Sequence, residues 1–233
     1  MRHHLTLAAA VSLALLAAIP ATAAVRSEHT LTLKLSAKTP KKSTGATITT
    51  SRTITPPALR VTKIVFALPA GTKFNTAAAT RCSVEVLRDR GAAGCRANSA
   101  IGGGTAAALT GTPLDPIRQQ VAVYATTTGL AAILTGLQTA VLPLKLKDNK
   151  ITVVLPRICR PPGALPDCAT GDILLKELDI KLDAKTKGTG SKRKRLITSP
   201  ATCVGGKWRS SATYTFSNGD TEVRRSNTNC RRR

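Results

Sequence analysis

The sequence predicts an all-β protein: an antiparallel β-sandwich stapled by disulfides, with long loops. Three observations lead there. Apolar residues recur at every second position in several short runs, turn dipeptides separate those runs, and six cysteines follow an export-type leader. Only 3% of the residues are aromatic while 42% are hydrophobic, so the core has to be built from Leu, Val, Ile and Ala.

The leader comes first. Arg2 and two histidines precede an uncharged apolar run from Leu5 to Ile19, Pro20 breaks it, and Ala21-Thr22-Ala23 supplies small residues for cleavage after Ala23. That run is about 15 residues, short of the roughly 20 that a spanning helix needs. The expectation is a signal peptide over 1–23 and a single secreted domain over 24–233, extracellular or held at the cell surface, with no transmembrane segment after cleavage. No cysteine stands directly after the apolar run and the chain ends in Arg231 to Arg233, so neither a lipoprotein nor a hydrophobic tail anchor is expected.

The strands follow in order. Leu31, Leu33 and Leu35 alternate with Thr30, Thr32 and Lys34. Ile64, Phe66 and Leu68 share one face, as do Ile151, Val153 and Leu155. Leu174, Leu178, Ile180 and Leu182 form an inner row, with Glu177, Asp179, Lys181 and Asp183 outside; Trp208, Ala212, Tyr214 and Phe216 form another. Asn218-Gly219 marks a hairpin between the last two strands, and Asp148-Asn149 a second one. One face polar and one apolar fits antiparallel sheets. Leu130, Ile133, Leu134, Leu137 and Val141 recur at helical spacing, but Gly129, Gly136 and several threonines disfavour a helix, and the stretch reads as two strands around Gly136. Gly102-Gly103-Gly104 lacks the Lys-Ser/Thr of a phosphate loop and marks a bulge or a tight strand entry.

Charge is the strongest compositional signal. Lysine and arginine number 35 against 12 acids, a formal charge of +23. The basic loop 184–195 concentrates it in Lys185, Lys187, Lys192, Arg193, Lys194 and Arg195, which form the candidate anion-binding set; Lys38, Lys41 and Lys42 make a second cluster, and Arg224, Arg225 and the terminal Arg231 to Arg233 a third. Flexible cations hold polyanions without reading sequence, and their affinity falls as salt rises. The expected partners are anionic cell-envelope polymers or lipid headgroups. Sequence-specific nucleic-acid recognition is not expected, since the few aromatics do not interleave with the basic residues. The competing reading, which charge alone favours, is a solvated connection that keeps the protein soluble and blunts a sheet edge.

The six cysteines are Cys82, Cys95, Cys159, Cys168, Cys203 and Cys230, an even number that argues for three disulfides in an oxidising compartment. Their spacing suggests nearest neighbours, although 15 pairings are formally open. Metal ligation is disfavoured: there is no C-x-x-C, and one histidine remains beyond the leader.

Catalytic signals are sparse. No G-x-S-x-G, H-E-x-x-H or Walker loop occurs. His29 reads as ordinary surface near the chain terminus. Glu177 and Asp179 lie about 7 Å apart along one strand face, a separation that glycosidases use, but among lysines they read as a surface salt-bridge lattice. Asp220 and Glu222 read as hairpin polarity. No cofactor and no metal site is implied.

Several phrases carry a resemblance: Pro57-Ala-Leu-Arg60, Ile64-Val-Phe-Ala-Leu-Pro-Ala-Gly71, Phe74-Asn75, Arg81-Cys82, Cys95-Arg-Ala-Asn-Ser-Ala-Ile-Gly102, Pro200-Ala-Thr-Cys203 with Trp208, Tyr214-Thr-Phe-Ser-Asn-Gly219 and Cys230. Over roughly residues 57–230 the chain resembles a group of secreted actinobacterial β-sandwich proteins of unassigned function. The resemblance implies the pairings Cys82–Cys95 and Cys203–Cys230 and supplies no catalytic residues; Cys159–Cys168 and the basic loop are less general in the group. The reading is an exported, non-enzymatic binding or structural protein that contacts anionic polymers through its basic loop and the Pro-rich loop Arg160 to Asp167. The alternative is a secreted carbohydrate-active enzyme using carboxylates.

Overall fold

The computed structural model describes residues 28–54, 58–110, 115–136, 139–157 and 173–231. Its strands are β1 (Glu28–Leu35), β2 (Ala46–Thr53), β3 (Val61–Ala67), β4 (Lys73–Phe74), β5 (Ala100–Leu109), β6 (Ile117–Ala125), β7 (Gly129–Thr135), β8 (Ala140–Lys147), β9 (Lys150–Val154), β10 (Leu174–Leu182), β11 (Thr186–Lys187), β12 (Lys194–Arg195), β13 (Ile197–Thr198), β14 (Lys207–Phe216) and β15 (Thr221–Asn229). A helix, α1 (Val84–Arg90), stands between β4 and β5.

The predicted all-β antiparallel fold is present, and its layers belong to one sheet. Eleven strands run in the order β1-β2-β10-β5-β6-β7-β8-β9-β3-β14-β15, and every neighbouring pair is antiparallel. The sheet curls until its two edges meet, a nearly closed barrel whose walls pack across one core. Leu33, Ile64, Phe66 and Tyr214 bury there, on the faces that the period-two pattern predicts, together with Ile48 and Val123. The stretch around Gly136 is two strands, β7 and β8. It looked helical because β7 is buried on both faces: Leu130 and Ala132 enter the main core, while Ala131 and Ile133 pack with Leu87 of α1 on the other side. In β10 the inner row departs from expectation. A register shift between Leu175 and Glu177 changes the phase, so Leu175, rather than Leu174, packs against the core.

The closure has a physical constraint. Direction alternates at each step, so with eleven strands the two edge strands β1 and β15 run the same way and cannot continue the antiparallel ladder. Side chains of β15 close the gap instead. The amide of His29 donates to Glu222 Oε1 at 3.2 Å, that of Leu33 to Ser226 Oγ at 3.0 Å, and that of Leu35 to Thr228 Oγ1 at 3.2 Å. Each bond spans 193 residues, the constant offset of a parallel register. Arg224, at the intervening register position, donates from Nε to Glu222 Oε1 at 2.5 Å.

His29 is therefore not terminal surface: it is 6% exposed. The correction comes from the seam, which brings together residues far apart in sequence. Its ring stacks on Tyr214 with centroids 3.9 Å apart, and Nδ1 lies 2.5 Å from Glu222 Oε2. Glu222 is thus a seam residue as well as a hairpin one. Burial holds the His29 imidazole below its ordinary pKa despite the carboxylate, so the neutral ring donates from Nδ1. Burial also pushes Glu222 upward, but the bonds from His29 and Arg224 outweigh it and leave the carboxyl below its usual range. Both shifts have one consequence. The unfolded chain takes up protons that the folded chain refuses, first on histidine near pH 6.5 and then on the carboxylate near pH 4.5. Denaturant titrations at pH 7.5, 6, 5 and 4 are expected to show stability falling with each step. His29→Asn, which keeps a donor, is expected to flatten the curve above pH 5; an unchanged curve would show that His29 is not the titrating group.

Disulfides strap the end of the barrel where β1 finishes. Cys82–Cys95 has a Cα separation of 5.5 Å and anchors α1, and Cys203–Cys230 has one of 5.9 Å and ties the end of β15 to the segment before β14. Each adds roughly 3 kcal/mol on the chain-entropy account. Cys159, Cys168 and the Pro-rich loop 160–167 lie outside the described residues. Among those described, no helix is long and apolar enough to cross a membrane.

Candidate anion-binding clefts

The strapped end also carries the basic loop, and local bonding gives that loop a shape. Leu182 closes β10, the amide of Asp183 donates to Ile101 O at 2.8 Å, and Lys185 Nζ reaches Ala100 O. The chain then folds into the short β11–β12 ladder, Thr186 against Arg195 and Lys187 against Lys194, closed by a 3-10 turn over Gly190–Lys192. The amide of Leu196 returns to Lys185 O at 2.9 Å, and Leu196 and Ile197 are fully buried. The loop is thus an anchored hairpin with an exposed tip.

Opposite it lies the segment after β4. Asn75 caps a 3-10 turn over Thr76–Ala78 by accepting from Ala77 N at 3.1 Å, and its own amide donates to Leu196 O at 2.8 Å. Next come Arg81, the Cys82–Cys95 bridge and α1, whose N-cap Ser83 accepts from Val86 N at 3.1 Å. Between this segment and the hairpin is a cleft of about 530 Å³, lined by Arg81, Arg96, Lys187 and Lys194 beside the disulfide. Among the described residues no carboxylate lines it. A second cleft of about 390 Å³ is lined by Lys73, Phe74, Arg193, Lys194 and Arg195, again without a carboxylate among the described residues. Lys194 belongs to both and joins them into one cationic face.

The six sequence-predicted cations therefore part company. Lys187 and Lys194 line the first cleft, and Arg193, Lys194 and Arg195 the second. Lys185 is spent on the Ala100 carbonyl, and exposed Lys192 lies at the hairpin tip, lining neither cleft. Arg195 also donates to Lys41 O at 2.7 Å, tying the neighbouring loop in place. Sequence reasoning missed Lys73, Phe74, Arg81 and Arg96. Arg81 and Arg96 each adjoin a bridged cysteine, so the pairing Cys82–Cys95 would have placed them together.

The two carboxylates that the sequence singles out on one strand face engage different partners. Glu177 pairs with Arg118 at 3.5 Å on the outer surface, and Asp179 accepts weakly from Thr49 Oγ1 at 3.5 Å. A neighbouring cleft of about 620 Å³ is lined, among the described residues, by Asp148 as its single acid, with Lys73. Among the described residues no group of three or more His, Cys, Asp or Glu could hold a metal ion. Comparison with known proteins gives no match, neither to a family model nor to a curated protein.

Proposed function

We propose that this is an exported, non-enzymatic β-sandwich protein that holds anionic polymers of the cell envelope on the cationic face around Lys194. The observation that carries the proposal is the pair of carboxylate-free clefts sharing that lysine. A solvated charge run would leave its cations pointing apart. Here a hairpin and a disulfide-anchored segment set cations on both walls of a groove, so little ordering entropy is lost on binding. Disulfides fit an oxidising compartment. Phe74 offers an apolar surface beside the charges, suited to a sugar or glycerol backbone between phosphates or carboxylates.

The test is binding of purified protein to a glycerol-phosphate polymer and to a polyuronate, across a salt series. Affinity is expected to fall linearly on a log–log plot with salt, and Lys194→Ala to weaken binding about tenfold, the loss of one to two charge-assisted contacts. Lys192→Ala is the internal control and is expected to change affinity less than twofold. A salt-independent affinity, or equal effects of the two substitutions, would remove the cleft as the binding surface. Circular dichroism of both variants should match that of the parent.

A further inference from the structure

The cleft of about 620 Å³ beside the cationic face is the largest of the three, and its lining is chemically different. Strands β3, β6 and β8 all finish at the strapped end of the barrel, and the turns that follow them build its walls: Thr72 after β3, Thr127 and Thr128 after β6, Asp148 and Asn149 after β8. Two local features bring these turns together. Gly129, which opens β7, is level with Lys145 of β8, and a Cβ on it would stand 2.7 Å from Leu144 O. A side chain there would push the β6–β7 turn away from β8. Asn149 is held to the segment after β3 by two bonds. Its carbonyl accepts from the Leu68 amide at 3.0 Å, and its Nδ2 donates to Leu68 O, which leaves Oδ1 as an acceptor.

The chemistry of the lining selects a ligand class. Threonine hydroxyls and the asparagine amide both donate and accept, so they suit a molecule that does the same at most of its polar atoms. Charge is balanced: among the described residues Asp148 is the single acid of the lining and Lys73 the single base, and neither is taken up in an ion pair. A free carboxylate accepts from two neighbouring hydroxyls, and a free ammonium donates to others. Thr72 supplies an independent sign. It lines the cleft and is 3% exposed, yet among the described residues its hydroxyl has no hydrogen-bond partner. A buried hydroxyl left in this state is costly, and a ligand hydroxyl seated against Thr72 would complete it. Finally, Lys73 and half-buried Phe74 line this cleft and the second cationic cleft alike. The face of the Phe74 ring carries partial negative charge and receives the C–H face of a flat, saturated ring.

We infer that this cleft is a subsite for a neutral pyranose sugar, carried as a substituent by the anionic polymer that the cationic face holds. Phe74 is the wall between the two: phosphates or carboxylates lie on the side of Lys194, and the sugar lies on the side of Asp148. The volume is in the range of small-ligand sites. The inference rests on the proposed function for the chain that carries the sugar, but the subsite itself is tested without it. Free sugars have no charge, so their titration decides the subsite even where polymer binding to the cationic face fails.

The experiment follows the backbone amides of isotope-labelled protein by NMR while methyl glucoside, methyl galactoside or N-acetylglucosamine is added, with sorbitol as the open-chain counterpart. One or more of the sugars is expected to give saturable shifts at Thr72, Thr127 and Asn149, with a Kd on the order of 1 mM that does not change with salt. Sorbitol has no flat face for Phe74 and more internal freedom to lose, and should bind about fivefold more weakly. Thr72→Val should weaken the sugar about fivefold while the unliganded protein melts no lower than the parent, because the isostere removes a stranded hydroxyl. Asp148→Asn should weaken it about tenfold. In a second arm, a glycerol-phosphate polymer bearing the preferred sugar should bind about tenfold more tightly than the bare polymer at the same salt, and Asp148→Asn should cancel that advantage. No saturable shift with any of the sugars, equal binding of sorbitol, sugar binding unaltered in both variants, or equal affinity for the bare and the sugar-bearing polymer would overturn the proposal.

Discussion

Gly104→Ala is expected to destabilise the protein by roughly 3–5 kcal/mol, as much as a severe core substitution. On β5, Gly104 is level with Ile180 of β10 and with Val121 of β6. A Cβ there would lie well inside van der Waals contact with the carbonyl oxygen of Asp179, 2.8 Å from its carbonyl carbon and 3.1 Å from Ile180 Cα. All three are backbone atoms in mid-sheet, so relief requires β10 to move off β5. The expected result is a melting temperature lower by about 10 °C or more. Gly136→Ala is the control: the nearest atom, 3.1 Å away, is Cγ of the flexible Gln119 side chain, and the cost should stay near or below 1 kcal/mol. Equal losses would mean that β5 and β10 do not approach so closely. The consequence reaches the cationic face as well. This close approach delivers the chain beyond Leu182 to the Ala100 and Ile101 carbonyls, where Lys185 roots the basic hairpin. Whatever Gly104→Ala protein remains folded should therefore bind polyanions less tightly at unchanged net charge.

The parts of this architecture that were legible beforehand are those written locally. Period-two runs located β1, β3, β9, β10 and β14, and Asn218-Gly219 located the last hairpin, because a half-buried strand and a tight turn each record their environment in adjacent residues. Helix α1 went unpredicted. At seven residues it is too short for a 3.6-residue period to stand out, although Ser83 at its N-cap, Glu85 in its first turn and Gly91 after it were readable signals. The Leu175–Glu177 irregularity was invisible, since a bulge is negotiated with the partner strand. His29 was misread for a related reason: its burial depends on a strand 193 residues away. The cationic face was half legible. A run of lysines and arginines announces itself, but only the fold distinguishes Lys194 in a groove from Lys185 on a carbonyl and Lys192 at a tip.

The seam makes the sharper demand on the fold. Replacing Ser226 and Thr228 together by alanine should cost about 2–5 kcal/mol, since each substitution strands a buried amide, that of Leu33 or Leu35, without an acceptor. In an ordinary ladder, side-chain truncation leaves the backbone bonds in place. Here the side chains are the acceptors, because parallel edges at the end of an odd alternating path are not joined by continuing the antiparallel pattern. The loss should be local before it is global. Hydrogen exchange is expected to accelerate at Leu33 and Leu35 while the β5–β6 amides keep their protection. Opening the seam would also expose two long strand edges, so the double variant should self-associate with rising concentration in sedimentation experiments. Ser226→Thr, which preserves the hydroxyl, should behave like the parent. Thr30→Ala serves as a reference, because it removes only an exposed 2.7 Å contact with Ser51 Oγ and should stay within about 0.5 kcal/mol. If the double variant matched Thr30→Ala, the two edges would have to be held by the core alone, and β15 would be a cover on the barrel rather than its closing stave.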